Sequence, residues 1–483
     1  MSAPVLHEKQ SLGFFDVDLG VGLLDYGNGP MESYDIICSN EKCDPNTAVE
    51  LTALDMTMPR NWIHASYVFE NSGNHKDFMS PEKLKASLVN ALDLVPALAG
   101  RLQCDDGSSG MNFMKPKAPT RILFNNKGAW FASTTMKTPF SDMRNNHLKT
   151  AMIPSQFLFK SFLEAAKESR EKEVDAPLLA IKAVYFDCGS VSLTVYINHQ
   201  VADGRGMYEF VRMWGQITQG ATPNPLKESR HVVNTIPKLD PKQAAQVQAR
   251  FLKHEPFKPL MTDMQLCKLT IPNAHLKKIK EDINAKIAPA YISSDDLFYC
   301  VHMRMLLRAR KEKSNPSIAR LVSIRQYLGV DDSAFGNFVN MLLEGPFDSS
   351  ALVDDPLEKV ALELRKCLVG YTKEKAIQAN QEFISVETHA IPDQLNNYDC
   401  SRDVGCTSIS SYDPTKISFQ DSPAFMLGAC YYISGTLTIN HLLDGVFNGT
   451  VPIDVNMLDA YQNDKEAKEL GFTVTPMKKL IFE

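Results

Sequence analysis

The chain lacks the marks of several large protein classes. Its ten cysteines form no Cys-x-x-Cys pair and no cysteine/histidine cluster at zinc spacing; the nearest pairs are Cys38/Cys43 and Cys400/Cys406. Scattered cysteines of this kind are expected as free thiols in a reducing compartment, with no disulfide framework and no metal site. No apolar run approaches the roughly 20 residues that span a bilayer, and the opening "MSAPVLHEKQ" lacks the charged start and apolar run of a secretory signal. The final Ile-Phe-Glu is not a peroxisomal address. The expected location is cytoplasmic, with no membrane partner. No Lys/Arg cluster is dense enough to track phosphates, and a net charge of -6 over 483 residues argues against a nucleic-acid partner. A solenoid repeat, a low-complexity tract, a Gly-x-Ser-x-Gly elbow, a Gly-rich phosphate loop and a His-Glu-x-x-His pair are absent as well.

What is present is the composition of a globular protein, 44% hydrophobic and 22% charged. The length exceeds one ordinary core and points to two domains of roughly 200 residues or more. The first fifty residues are irregular, broken by Gly20, Gly22, Gly27, Gly29 and Pro30. From Pro81, "PEKLKASLVNALDLVPALAGRL" opens with proline at a helix start and places Leu84, Leu88 and Leu92 on one face, ending before Pro96. "LLAIKAVYFD" and "VSLTVYIN" read as strands joined at Cys188-Gly189-Ser190, a hairpin. A helix with Met207, Phe210, Val211, Trp214 and Ile217 on one face follows and ends at Gly220.

Residues 221–262 are richer in Pro, Lys and Gln with weak periodicity, which marks an interdomain linker. The division is therefore 1–220, 221–262 and 263–483. The second half starts with a strand-like "CKLTI" and a helix from about Pro272. In "YISSDDLFYCVHMRMLLRARK", Ser293 or Ser294 can cap a helix whose first turn carries Asp295 and Asp296 and whose end carries Arg308 and Arg310. Both halves mix strands and helices, so the fold class is α/β.

The stretch "INHQVADGRG", Ile197 to Gly206, ends the second hairpin strand with His199. A neutral imidazole at a strand end can act as general base toward an alcohol or amine. Asp203 faces His199 only if the intervening loop is helical; in an extended turn it braces the loop. Gly204 and Gly206 permit the sharp entry into the next helix. Against this stands an ordinary surface turn built on Asp-Gly. A near copy, "INHLLDG" at Ile439 to Gly445, has one residue fewer between its His and Asp, sits in a hairpin-like setting, and makes His441 a structural residue.

Around this motif the sequence resembles the BAHD superfamily of acyl-CoA-dependent acyltransferases. "LTALD" (Leu51 to Asp55) is similar to the family's "LS-x-LD", "LVPALAGRL" to "yPLAGRL", and "ISSDDLFYCVHMRMLLRAR" to "iSTfDaL…W…rAR". "IRQYL…FGN" (Ile324 to Asn337) resembles "R…yfGN", "TSIS" at Thr407 resembles "TSW", and "DGVFNGTVPIDVNML" the closing strand. "LTALDMTMPRNW" is closest in wording to the fungal, trichothecene-acetyltransferase-like branch. The resemblance implies two chloramphenicol-acetyltransferase-like domains with mixed sheets and an interdomain channel. Acyl-CoA, a co-substrate with no bound cofactor, enters from one face and a small-molecule acceptor from the other. His199 is then the general base, Asp203 braces its loop by a salt bridge, Gly204 makes the turn, and Thr407 contributes to the oxyanion site. Ser293, Ser294 and Arg325 are candidates on the acyl-CoA side. No covalent acyl-enzyme and no metal is implied, and a complete channel in one chain is consistent with a monomer.

Two departures qualify this. Ser418, Phe419 and Gln420 stand where the family has the first residues of Asp-Phe-Gly-Trp-Gly, and only the Phe is kept. The family's Asp pairs with the arginine matching Arg325, so Arg325 needs Asp421 or another partner, an unpaired buried arginine being costly. Ile409 replaces the tryptophan of "TSW" and cannot donate, which leaves Thr407 and water as oxyanion donors. Two other readings stay open: a protein of this fold repurposed for a non-acyl reaction such as metabolite cyclisation, and a condensation-type enzyme using carrier thioesters. The latter usually carries a second histidine before the first, where Asn198 stands here.

Overall fold

Two seven-stranded mixed sheets organise the chain. They are seen in a computed structural model that describes residues 31–480 apart from 41–43, 45, 106, 108–119, 138, 143–156, 170–174, 261, 311–313 and 428–432. The glycine-rich stretch from Gly20 to Pro30 lies outside the described residues. The strands of the two sheets are, in chain order, β1 (Asp35–Ile37), β2 (Trp62–Phe69), β3 (Ala129–Met136), β4 (Leu179–Phe186), β5 (Val191–Asn198), β6 (Met264–Pro272) and β7 (Ile318–Ser323). They continue with β8 (Val339–Glu344), β9 (Val404–Ser408), β10 (Ser418–Phe419), β11 (Ser422–Leu427), β12 (Thr436–Ile439), β13 (Val446–Asp454) and β14 (Thr473–Leu480). The first sheet runs β1-β3-β4-β5-β2-β11-β10 and the second β8-β7-β9-β12-β13-β6-β14. Each mixes parallel and antiparallel pairs: β3–β4 is parallel and β4–β5 antiparallel, while β7–β9 and β9–β12 are parallel.

The β4–β5 hairpin forms where the sequence places it, with Gly189 at φ 77 supplying the turn. All eight residues of β5 are buried, which is why it reads as a continuous apolar run rather than an alternation. Helices α1 (Pro81–Leu94) and α2 (Gly204–Thr218) belong to this half. Helix α1 is capped by Ser80 with Pro81 in its first turn, and its Leu84, Leu88 and Leu92 are fully buried. In the second half, helix α3 (Ser294–Ala309) begins with a reciprocal capping box between Ser293 and Asp296 and is buried on nearly every side. It forms the centre of a separate core with Leu269, Val404, Leu437 and Val451.

Three arrangements differ from the sequence expectation. Asp35–Ile37 and Ala48–Glu50 form strands within the irregular opening, paired with Ala129–Met136 and Arg121–Leu123, since three residues are too few to show a periodicity of their own. The 221–262 stretch contains regular structure: Lys227–Glu228 pairs with Ala334–Phe335, and Pro241–Phe251 is a helix capped by Asp240. That helix buries only Val247 and Phe251, a face too thin to show as periodicity. Finally, β10 and β11 leave the second half of the chain and complete the first sheet beside β2.

The retained Phe419 shows why this crossing holds. Its ring meets Trp214 of α2 edge-on at 5.1 Å and Phe69 of β2 at 5.0 Å. Gln420 and Asp421, at φ 47 and φ 65, make the two-residue turn between β10 and β11. Gly215 of α2 lies so close that an added Cβ would sit 2.4 Å from the Ser418 carbonyl oxygen. Gly215→Ala is therefore expected to destabilise the protein by about 1–3 kcal/mol through backbone displacement. Chemical denaturation checks this, and an unchanged midpoint would mean that α2 is not seated so tightly.

Candidate active site

Between the two halves lies a cavity of about 290 Å³. The first half lines it with Met58, Trp62, His64, Tyr67, His199 and Met207, the second with Leu321, Val339, Thr407, Ile409, Tyr412 and Ile433. Most of the wall is apolar, so the few polar groups that reach it decide its chemistry.

His199 follows the last residue of β5, where Trp62 of β2 pairs with Asn198. The backbone holds it from both sides. Its N–H donates to the Asn61 carbonyl at 2.7 Å, and its own carbonyl accepts from Asn337 Nδ2 at 2.7 Å. The side chain is 9% exposed, on the cavity side. Nδ1 is sealed from solvent and makes no hydrogen bond, which leaves Nε2 as the nitrogen that opens onto the cavity. Burial holds the imidazole below its ordinary value of 6.5; its own backbone carbonyl, the Asp203 charge, Asn337 and the Ala202 backbone oppose this without cancelling it. Burial thus favours the neutral form of the ring.

Asp203 borders the cavity beside His199, but its carboxylate is committed to groups of the protein. It is the N-cap of α2, with its side chain accepting from the Gly206 N–H at 2.9 Å. The same carboxylate takes both guanidinium branches of Arg325, at 2.8 and 2.9 Å, and the Phe338 N–H at 3.0 Å. Arg325 and Asp203 are 3% and 1% exposed. Burial alone would raise the Asp203 pKa, but the Arg325 charge and these donors hold it well below the usual carboxylate range. Burial would likewise lower that of Arg325, and the Asp203 charge reverses the sign. Arg325 therefore has a partner that is not Asp421, and the bracing of the loop and the fate of this arginine are one interaction. The guanidinium also donates to the Ala334 carbonyl at 3.0 Å, so Arg325, which borders the cavity, has both terminal nitrogens engaged within the protein.

A second buried ion pair flanks the loop. Asp55 accepts from Arg230 Nε at 3.0 Å and from Asn337 Nδ2 at 2.9 Å, and closes a capping box with Thr52. Arg230 also donates to the Val201 carbonyl inside the histidine loop. Between the two pairs runs Ala334–Phe338: the Asp203 N–H donates to the Gly336 carbonyl at 3.3 Å, and the Asn337 N–H to Asp55 at 3.2 Å. Asp55 and Asn337 lie in segments that the family resemblance already singled out. Arg230 does not; nothing local in its Pro/Lys/Gln-rich stretch marks it as buried.

Thr407 of β9 lines the cavity, and its hydroxyl makes no hydrogen bond to a described group. The Ile409 N–H is committed to the Ile439 carbonyl at 2.8 Å and is not a free donor. Gly204 lies in the wall where α2 begins, 3.5 Å from Tyr412 when measured from an added Cβ. Ser293 and Ser294 are placed elsewhere: the Ser293 hydroxyl is tied to Asp296 at 2.7 Å, Ser294 accepts from Lys280, and neither lines the cavity. His441 donates from Nδ1 to the Ser410 carbonyl at 2.9 Å and stands outside the lining. His64 does line it, as a second imidazole that burial lowers to about 4 and that stacks on Tyr196 at 5.5 Å. No repeating signal in "NWIHASYVF" distinguishes His64 from a strand residue.

The class defined by this geometry is a two-domain α/β fold with a histidine at the centre of the cleft. The sequence pattern of the Transferase family matches residues 31–288, and the chain belongs to that family, the BAHD superfamily. A hydroxycinnamoyl-CoA:piscidic acid hydroxycinnamoyltransferase of Actaea racemosa is 27% identical over 195 residues, 38% of this chain and 39% of that protein. Anthranilate N-benzoyltransferase protein 3 of Dianthus caryophyllus is 27% identical over 255 residues, 50% of this chain and 52% of that protein. The chain thus spans between about two fifths and half of these relatives. In fold it is similar to TRI101 of F. sporotrichioides, solved with coenzyme A and T-2, at TM-score 0.67 and 15% identity over 89% of this chain and 99% of that one. Vinorine synthase is similar at TM-score 0.63 and 16% identity over 89% and 95%.

Truncating either member of the Asp203–Arg325 pair leaves a buried charge unpaired. Asp203→Ala is expected to cost about 3–5 kcal/mol, and Arg325→Met on that background to recover part of it. Denaturation of Asp203→Ala, Arg325→Met and the double variant checks this. Additive losses would mean that the two side chains do not depend on each other.

Proposed function

We propose that this protein transfers an acyl group from an acyl-CoA thioester to a hydroxyl or amine of a small specialised metabolite, with His199 as general base. The observation that carries the reading is the orientation of that imidazole. Nδ1 is buried, Nε2 opens onto an interdomain cavity, and burial favours the neutral form of the ring. Relatives named for O- and N-acyl transfer favour the same chemistry without selecting the acceptor.

The acceptor occupies the largely apolar cavity. A second cavity of about 540 Å³ shares Leu321, Ser323, Ser408 and Ser411 with the first, and Arg320, Arg365 and Ser410 add polar wall. The polar arm of acyl-CoA lies there, which brings its thioester to the junction beside Thr407. Nε2 takes the proton of the acceptor hydroxyl or amine as that atom attacks the thioester carbonyl carbon. The tetrahedral oxyanion is met by the Thr407 hydroxyl, which no described group occupies. When the C–S bond breaks, the thiolate takes the proton back from Nε2, and the base is regenerated. Asp203 takes no part in the proton transfer. It holds the loop and, through its charge, moderates the depression of the imidazole.

Transfer is tested with the purified chain, acetyl-, benzoyl- and hydroxycinnamoyl-CoA and a panel of alcohols and amines, following free thiol and product mass. His199→Ala should lose at least about 100-fold in kcat/KM while its melting temperature is preserved. Equal turnover in that variant removes His199 from the chemistry. Absence of product with every thioester, together with no thermal shift on adding any acyl-CoA, would favour a repurposed fold.

The pH dependence follows from the same geometry. The base is lost only as pH falls through the lowered imidazole value, so the acid limb of kcat/KM should inflect below 6.5. An inflection at or above that value would contradict burial as the dominant influence on His199.

A further inference from the structure

The proposed reaction requires one tautomer of His199: the proton must sit on Nδ1 so that Nε2 carries the free electron pair. A neutral imidazole in water holds both forms, so something in the protein must select. Asp203, the carboxylate nearest in sequence, is not placed to do so, because both its oxygens are taken by Arg325, Gly206 and Phe338.

The selection comes from the other half of the chain. Both Nδ2 hydrogens of Asn337 are used, one on Asp55 Oδ1 at 2.9 Å and one on the His199 carbonyl at 2.7 Å. This fixes which end of the amide is which. Reversing it would set the amide oxygen against a carboxylate and a carbonyl, replacing two hydrogen bonds by two repulsions. The remaining atom, Asn337 Oδ1, is buried and accepts no hydrogen bond. His199 Nδ1 is buried and partnerless as well. A sealed acceptor without a donor is costly, and so is a sealed ring nitrogen without a partner. The structure records no hydrogen bond between these two atoms; a proton on Nδ1 directed at the amide oxygen would relieve both, whereas one on Nε2 relieves neither.

We infer that Asn337 is a positioning residue for His199: its fixed amide oxygen accepts from Nδ1–H and so keeps the Nε2 electron pair facing the cavity. The His199 carbonyl, Asn337 and Ala202 all act on the ring as acceptors, which places acceptors rather than donors around it. The histidine comes from the first half of the chain and its tautomer from the second. A displacement of the two halves that withdrew Asn337 would thus impair the base without touching the imidazole. The inference rests on the proposed function for its purpose, but its content is a protonation state that can be read without turnover.

The test is a long-range proton–nitrogen correlation spectrum of the full chain labelled with ¹⁵N-histidine, with His199 assigned by His199→Gln. The wild type should show His199 neutral at pH 8 with Nδ1 protonated and Nε2 bare; protonation at Nε2 instead overturns the inference directly. Asn337→Leu, which keeps the volume and loses the acceptor, should show a mixture of the two tautomers. Asn337→Asp, which keeps an acceptor oxygen and loses the Nδ2 bonds, should hold the Nδ1–H form even though its melting temperature falls. A pure Nδ1–H tautomer in Asn337→Leu would assign the selection to the His199 and Ala202 backbone and overturn the role of Asn337. If neither variant folds, the wild-type spectrum still decides, because Nε2–H there is incompatible with the inference. A chain that shows the expected tautomers yet transfers no acyl group would refute the proposed function and leave the inference standing.

Discussion

The ion pair between Asp203 and Arg325 is the contact on which the placement of the imidazole depends. Its two hydrogen bonds run in parallel, both partners are nearly sealed from water, and the same carboxylate caps α2 and accepts from the Phe338 N–H. Arg325 and Phe338 belong to the second half of the chain, whereas Asp203 begins the helix directly after the histidine loop. One buried charge therefore sets the start of α2, the path of the loop and the docking of the strap Ala334–Phe338. A sealed pair of this kind is weak evidence for net stability, because desolvation consumes much of the Coulombic gain. What it supplies here is register, since one carboxylate meets four donors, two from Arg325 and one each from Gly206 and Phe338.

The second pair, Asp55 with Arg230, extends the same logic to the far side of the loop. Arg230 reaches the Val201 carbonyl, Asn337 joins Asp55 to His199, and the capping box of Thr52 orients Asp55 itself. The histidine is thus held by its backbone, through Asn61 and Asn337, and the ring is left with one open nitrogen. A general base needs this combination of rigid placement and one accessible electron pair. The apolar wall of the cavity then favours the neutral ring by making a charged imidazole costly.

The altered signature Ser418-Phe419-Gln420 takes its place in this picture. Arg325 is satisfied by Asp203 and draws on no residue of this signature. The residues that remain serve packing: Phe419 fills the space between α2 and β2, and Gln420 accepts from the Met79 N–H. The crossing of β10 and β11 into the first sheet persists because it rests on an aromatic ring and a backbone ladder, neither of which needs the lost charge.

Local physics made much of this legible in the sequence. The β4–β5 hairpin, helices α1, α2 and α3 and the position of His199 between a strand and a helix all follow from periodicity, caps and glycine, which act over a few residues. The bracing role of Asp203 was legible for the same reason, since an extended turn before a helix is where an aspartate caps. The partner of Arg325, the burial of Arg230 in a stretch that reads as linker, the entry of Ser418–Leu427 into the first sheet and the approach of His64 to the cavity were not. Each depends on residues between about a hundred and several hundred positions apart, and no local pattern encodes which distant charge or strand will be the neighbour. The sequence by itself determined that a histidine would stand at a strand end with a helix cap behind it. Only the tertiary structure decided which of its nitrogens is buried and how its backbone is held, because Asn61, Asn337 and Asp55 meet there from opposite halves of the chain.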